Sequence, residues 1–73
     1  MVSVKVISKA TGNSVKQCRV GLSVGVIGGV YHEYTDHDGE AHFHNANPAD
    51  AEIYIDGKVA FKGFVSGMKV VYV

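Results

Sequence analysis

Several features that often reveal the class of a protein are scarce in this sequence. It contains one cysteine, so no intrachain disulfide can form, and a lone cysteine is more typical of a reducing compartment than of an oxidising one. No apolar run approaches the ~20 residues that a membrane-spanning helix needs. The first residues lack the basic and apolar regions of a signal peptide. We therefore expect a soluble protein with no membrane span, cytoplasmic unless it is exported as part of something larger.

An excess of charge of one sign is also lacking. Seven basic and seven acidic residues give no formal net charge at pH 7, and the lysines are scattered singly along the chain. Domains that bind nucleic acid usually carry a basic patch or stripe, so we expect no nucleic-acid partner. The 73 residues can form only one core, and we expect a single β-sandwich domain over residues 1–73. Because so small a core leaves little net stability, a bound metal ion or a partner chain would help it.

What the sequence does contain is a two-residue repeat of apolar side chains. Val2, Val4 and Val6 alternate with polar residues, as they must in a strand with one buried face. Turn-forming pairs such as Gly28-Gly29 and Asp56-Gly57 separate the segments of this kind. The pattern predicts an all-β fold, a small seven-stranded, mainly antiparallel Greek-key β-sandwich. The predicted strands cover residues 2–8, 19–24, 30–35, 40–45, 51–55, 58–62 and 68–73.

One segment resembles a known family. Thr35-Asp36-His37-Asp38-Gly39-Glu40-Ala41-His42-Phe43 is similar to the Thr-Asp-x-x-Gly-x-x-x-Phe hairpin of the carboxypeptidase regulatory-domain-like, or prealbumin (transthyretin)-like, β-sandwich modules. Gly12-Asn13-Ser14-Val15 resembles the segment that these modules place between their first two strands. The resemblance implies an accessory, adhesive or scaffold domain. The hydrolytic branch of the group ends in Tyr-Arg-Gly-Ser, whereas this sequence ends in Val70-Val71-Tyr72-Val73, so we expect no hydrolysis of 5-hydroxyisourate.

Four histidines cluster around the predicted hairpin between residues 30–35 and 40–45. If Thr35 pairs with Glu40, then Glu33 lies opposite His42, and His44 follows on the same face about 7 Å away. His42, His44 and Glu33 could then bind one zinc, copper or nickel ion, because imidazole and carboxylate groups are suitable ligands. The alternative is an ordinary solvated polar face.

The same register places His32 beside Phe43 on the apolar face. We expect a core histidine hydrogen-bonded to the backbone, which must be neutral when buried, so acid would destabilise the domain; a functional role is the alternative.

Other polar residues give weaker indications of chemistry. Asp36-x-Asp38-Gly39 resembles part of a calcium loop without its later ligands, and two carboxylates on an exposed turn have no pocket that would prepare them for acid–base catalysis. Cys18 has no evident base beside it, so a half-buried strand thiol is favoured over a nucleophile. The sequence therefore predicts no catalytic residue and no enzyme activity.

An interface is the remaining prediction. Tyr31 and Tyr54 alternate out of phase with the neighbouring core residues, and exposed tyrosines favour interfaces. Apolar side chains occupy both faces of the last strand, which indicates that other protein surface packs against each of these faces. We expect self-association or docking on another protein, with an inner position in a monomer as the alternative. The predicted interface residues are Tyr31, Tyr54, Val71 and Val73. The leading hypothesis is a non-enzymatic structural or protein-binding module; a small metal-binding protein and a transthyretin-like hydrolase are the alternatives.

Overall fold

The computed structural model describes residues 1–25 and 29–73, and every regular element in these ranges is a β-strand. The all-β fold predicted from the sequence is confirmed. Gly28, expected in the turn before the third strand, lies outside the described residues. Within them, no helix has the length and apolar character needed to cross a membrane. The seven strands are β1 (Val2–Ile7), β2 (Arg19–Val24), β3 (Val30–Tyr34), β4 (Glu40–Phe43), β5 (Ala49–Ile55), β6 (Lys58–Val65) and β7 (Gly67–Tyr72).

The strands form two sheets of a small sandwich. One sheet has the order β4-β1-β7 and the other the order β3-β2-β5-β6. β1 and β7 run parallel, and the other strand pairs are antiparallel. Most sheet neighbours are distant in sequence, so the chain crosses repeatedly between the sheets, as a Greek-key sandwich requires. The Asp56-Gly57 pair joins β5 to β6, and both residues have positive φ, 51° and 84°.

The core lies between the sheets and follows the two-residue repeat. β1 buries its three alternating valines completely, and β2 buries Val20 and Leu22, which pair with Ile55 and Ile53 of β5. Each fully buried side chain of this size stabilises the fold by roughly 1.5–3 kcal/mol relative to an exposed one. Burial of this alternating set is therefore what holds the two sheets together.

The predicted hairpin between β3 and β4 is wrong. β3 pairs with β2 in one sheet, whereas β4 pairs with β1 in the other, so residues 35–39 carry the chain across the sandwich. The turn itself forms as expected, with the Gly39 amide donating to the Asp36 carbonyl at 2.9 Å. Its two ends bond to different sheets, because the Thr35 amide donates to the Cys18 carbonyl and the Gly39 carbonyl accepts from Val6.

Side-chain contacts also hold residues 35–39 in place at this crossing. The buried Thr35 hydroxyl donates to the Val15 carbonyl at 2.7 Å and accepts from the Cys18 amide at 2.8 Å. Gly39 has φ 76°, and a Cβ there would lie 2.7 Å from the Cβ of Ser14. Only glycine combines this backbone conformation with so close an approach. The crossing is therefore fixed relative to the loop between β1 and β2.

Candidate functional site

The structure separates one of the three predicted metal ligands, Glu33, from the other two. His42 lies on β4, and the rings of His42 and His44 are 6.2 Å apart between centroids. Glu33 lies on β3, where it pairs with Val20 in the other sheet. It therefore does not face His42, and the expected placement of Glu33 is corrected. The reason is the sheet crossing at residues 35–39, which removes the register on which that placement depended.

Two other carboxylates lie beside His42 instead. The Nε2 atom of His42 is 3.6 Å from Oδ2 of Asp36 and 3.5 Å from Oε1 of Glu40. One potential ligand atom of each residue lies within 4.8 Å of the other two. Glu40 and His42 share a face of β4 because they are two residues apart in a strand, and the turn brings Asp36 to the same place. We refer to Asp36, Glu40 and His42 as the acidic–histidine cluster.

Each member of this cluster is oriented by another contact. Oδ1 of Asp36 accepts from the backbone amides of Asp38 and Glu40 at 2.9 and 3.1 Å. The hydrogen bond from the Glu40 amide is the main reason why the pKa of Asp36 lies below its ordinary value of 3.8, with the Asp38 amide and the nearby imidazoles acting in the same direction. Oε2 of Glu40 lies 3.8 Å from the Lys5 ammonium across the β1–β4 pair.

The imidazole of His42 is held from its other side. Its Nδ1 atom lies 2.8 Å from Oγ of Ser3, which is the residue opposite His42 in the β1–β4 register. Ser3 is buried, so the Ser3 side of this hydrogen bond is shielded from water. With Nδ1 oriented toward Ser3, Nε2 is the nitrogen that faces Asp36 and Glu40. The sequence contained a signal for part of this arrangement, the Glu40-x-His42 spacing, but nothing that pointed to Ser3.

His32 is exposed rather than in the core. It pairs with Gly21 on the outer face of the larger sheet, and the predicted packing against Phe43 fails because Phe43 belongs to the other sheet. A shallow cleft of about 310 Å³ lies above Gly21, between His32 and Tyr54. The Tyr54 hydroxyl donates to Oε1 of Glu52 at 2.7 Å, which raises the pKa of Tyr54 and lowers that of Glu52. The absent side chain at Gly21 is what leaves room for this cleft.

Two of the four predicted interface residues, Val71 and Tyr31, require correction. Val71 is only 4% exposed and belongs to the core, and Tyr31 is half-buried against that core rather than turned outward. Tyr54 is half-buried, and Val73 is exposed but bonded through its backbone to Ile7 and Lys9. The parallel β1–β7 register settles which phase of β7 faces inward. The outward phase consists of Met68, Val70 and Tyr72, whose exposed fractions are 47%, 40% and 58%.

Cys18 is buried and lies immediately before β2, with its Sγ atom 3.9 Å from Oδ2 of Asp56. Burial is the main reason why the pKa of this thiol is raised above its ordinary value of 9.0, and the Asp56 carboxylate raises it further. A raised pKa keeps the thiol protonated at neutral pH, whereas the reactive form of cysteine is the thiolate. The surroundings of Cys18 thus oppose nucleophilic chemistry.

Comparison with known proteins gives no further guide to function. No family model, curated protein or solved structure matches the chain.

Proposed function

We propose that this protein is a non-enzymatic β-sandwich module that acts through protein contacts and self-associates through the outer edge of β7. The observation that carries the proposal is the row of exposed apolar side chains, Met68, Val70 and Tyr72, on a strand that has only β1 beside it among the described residues. An edge strand of this kind presents unpaired backbone groups and apolar side chains together.

The other described edges are better protected against pairing. β4 is only four residues long and carries Glu40 and His42, and β3 carries Glu33. β6 carries Lys58 and Lys62 and has an irregular register opposite Ile53 and Tyr54. Short length, charged side chains and bulges are the usual devices that keep edge strands apart.

β7 has fewer of these protective features. Its single charged side chain is Lys69, whose ammonium lies 4.0 Å from the centre of the Phe61 ring and is thus engaged with β6 of the other sheet. The outward-facing side chains of β7, Met68, Val70 and Tyr72, carry no charge. An antiparallel pairing of two β7 edges about a two-fold axis would join two three-stranded sheets into one. A contact made mainly by one strand falls within the size range of transient interfaces, so we expect a concentration-dependent dimer.

The resemblance to prealbumin-like and carboxypeptidase regulatory-domain-like modules supports a scaffold or accessory role. Thr35, Asp36, Gly39 and Phe43, which carry the motif, all perform folding tasks: a buried hydroxyl, a turn acceptor, a positive φ and a core side chain. The motif thus gives a reason for the fold rather than for a reaction. The raised pKa of Cys18 further favours a binding role over nucleophilic catalysis.

Sedimentation equilibrium over a wide concentration range tests the proposal. We expect the unmodified chain to associate and Val70→Glu to remain monomeric, because in a pairing centred on the middle of β7 the two new glutamates would lie close together. The new carboxylate would lie beside Lys5, its partner in the β1–β7 register, so the monomer should stay folded.

Val59→Glu provides the matched control, because Val59 is an exposed valine on β6, in the other sheet. This variant should associate as the unmodified chain does. A chain that stays monomeric at millimolar concentration, or an equal loss of association in both variants, would overturn the proposal.

A further inference from the structure

The acidic–histidine cluster has the arrangement of an incomplete metal coordination shell. In each of its three residues one polar atom is held by the protein and another is free to act as a ligand. In Asp36 the two turn amides occupy Oδ1 and leave Oδ2; in Glu40 the Lys5 ammonium lies nearest Oε2 and leaves Oε1; in His42 the Ser3 hydroxyl occupies Nδ1 and leaves Nε2. The three free atoms are the ones that converge.

The distances suit a small, four-coordinate ion. Tetrahedral zinc with bonds of about 2.0–2.2 Å to nitrogen and oxygen places neighbouring ligand atoms roughly 3.3–3.5 Å apart. The observed separations from Nε2 of His42 to the two carboxylates are 3.5 and 3.6 Å, close to these values, and one ligand atom of each residue lies within 4.8 Å of the other two. The side chains are 25–40% exposed, which leaves the fourth position open to water.

We propose that Asp36, Glu40 and His42 bind one divalent transition-metal ion, with Zn²⁺ as the reference ion and water as the fourth ligand. The imidazole favours zinc-like ions over calcium, which requires six to eight oxygen ligands. Ser3 is a positioning residue, since a hydrogen bond at Nδ1 fixes the ring and its tautomer in the way that outer-shell partners of metal-binding histidines do.

Isothermal titration calorimetry of the untagged chain with zinc chloride tests the site. We expect one ion per chain. Asp36→Asn, Glu40→Gln and His42→Ala should each weaken binding by about tenfold or more, since each removes one of three ligands. Calcium chloride at the same concentrations should give no binding. Circular dichroism of each metal-free variant shows whether it is folded. If a variant does not fold, the nitrogen-15 spectra described below test the site in the unmodified chain instead.

Two histidines close to the cluster provide matched controls. His37→Ala removes an exposed imidazole from the same turn, and His44→Ala removes the ring next to His42. Both variants should keep the affinity of the unmodified chain within about twofold. Loss of binding in His44→Ala together with retention in Asp36→Asn would replace the proposed ligands by a His-x-His site, and the proposal would fail.

Nitrogen-15 spectra of the imidazoles locate the bound ion directly. Zinc should shift Nε2 of His42 and leave Nδ1 protonated, with the rings of His32 and His37 unaffected. Ser3→Ala should weaken zinc binding by roughly 10- to 100-fold and allow both tautomers of His42 to appear, which a merely structural role of Ser3 would not produce. Absence of a zinc-dependent shift at Nε2 of His42, in a chain shown to be folded, would overturn the proposal.

Discussion

Replacing Thr35 by valine isolates the contribution of one hydroxyl to the crossing between the sheets. Valine has nearly the same shape as threonine, so the change leaves no cavity at this 3% exposed position. It removes two hydrogen bonds, the one from the Cys18 amide and the one to the Val15 carbonyl. The crossing segment would then lose both side-chain hydrogen bonds that connect it to the loop before β2.

The loss of stability in Thr35→Val can be worked out from the two backbone groups that lose their hydrogen-bond partner. The Cys18 amide is buried, and an unsatisfied buried donor costs about 1–3 kcal/mol. The Val15 carbonyl is partly accessible, so its loss is closer to the net value of an ordinary hydrogen bond, about 0.5–1.5 kcal/mol. We therefore expect Thr35→Val to lower the free energy of unfolding by about 2–4 kcal/mol. In a domain of this size each kcal/mol corresponds to roughly 4–8 °C in Tm.

Urea denaturation, monitored by circular dichroism, measures this change in the free energy of unfolding. Thr35→Ser is the control. Serine keeps the hydroxyl and removes one methyl group, which should lower the stability by about 1 kcal/mol. Valine should therefore be the more harmful substitution although it preserves the volume. If Thr35→Val is as stable as the unmodified chain, or if Thr35→Ser is the less stable of the two, the assigned role of the hydroxyl is incorrect.

Two further predictions concern the turn residues. Gly39→Ala should destabilise the domain far more than Gly57→Ala, because both glycines have positive φ but only Gly39 would bring a new Cβ within 2.7 Å of Ser14; similar unfolding midpoints in urea would contradict this. The pKa of Asp36 is lower in the folded chain than in the unfolded one, so the ionised Asp36 carboxylate stabilises the fold. This contribution to stability is fully present above about pH 4 and is lost as the pH falls through the lowered folded pKa. Asp36→Asn keeps a turn acceptor and should reduce this acid dependence, as unfolding curves measured between pH 2 and 6 would show; an unchanged slope would exclude Asp36 as its source.

The sequence by itself determined the local structure. The alternation of Val2, Val4 and Val6 gave β1 and its buried face, because successive side chains of a strand point to opposite sides. Asp56-Gly57 predicted the tight connection between β5 and β6, since such a pair tolerates the positive φ that both residues adopt. These properties depend on neighbouring residues only, and they sufficed for an all-β sandwich of seven strands.

Only the tertiary structure decided which strands pair and which side chains meet. The turn at residues 36–39 has the same local chemistry in a hairpin and in a sheet crossing, so it could not show that β4 pairs with β1 and β3 with β2. The contact between Ser3 and His42 depends on that pairing, and the outward-facing side of β7 depends on the β1–β7 pairing. Strand pairing is settled by burial between segments far apart in sequence, and a local pattern of turns and alternation carries no record of it.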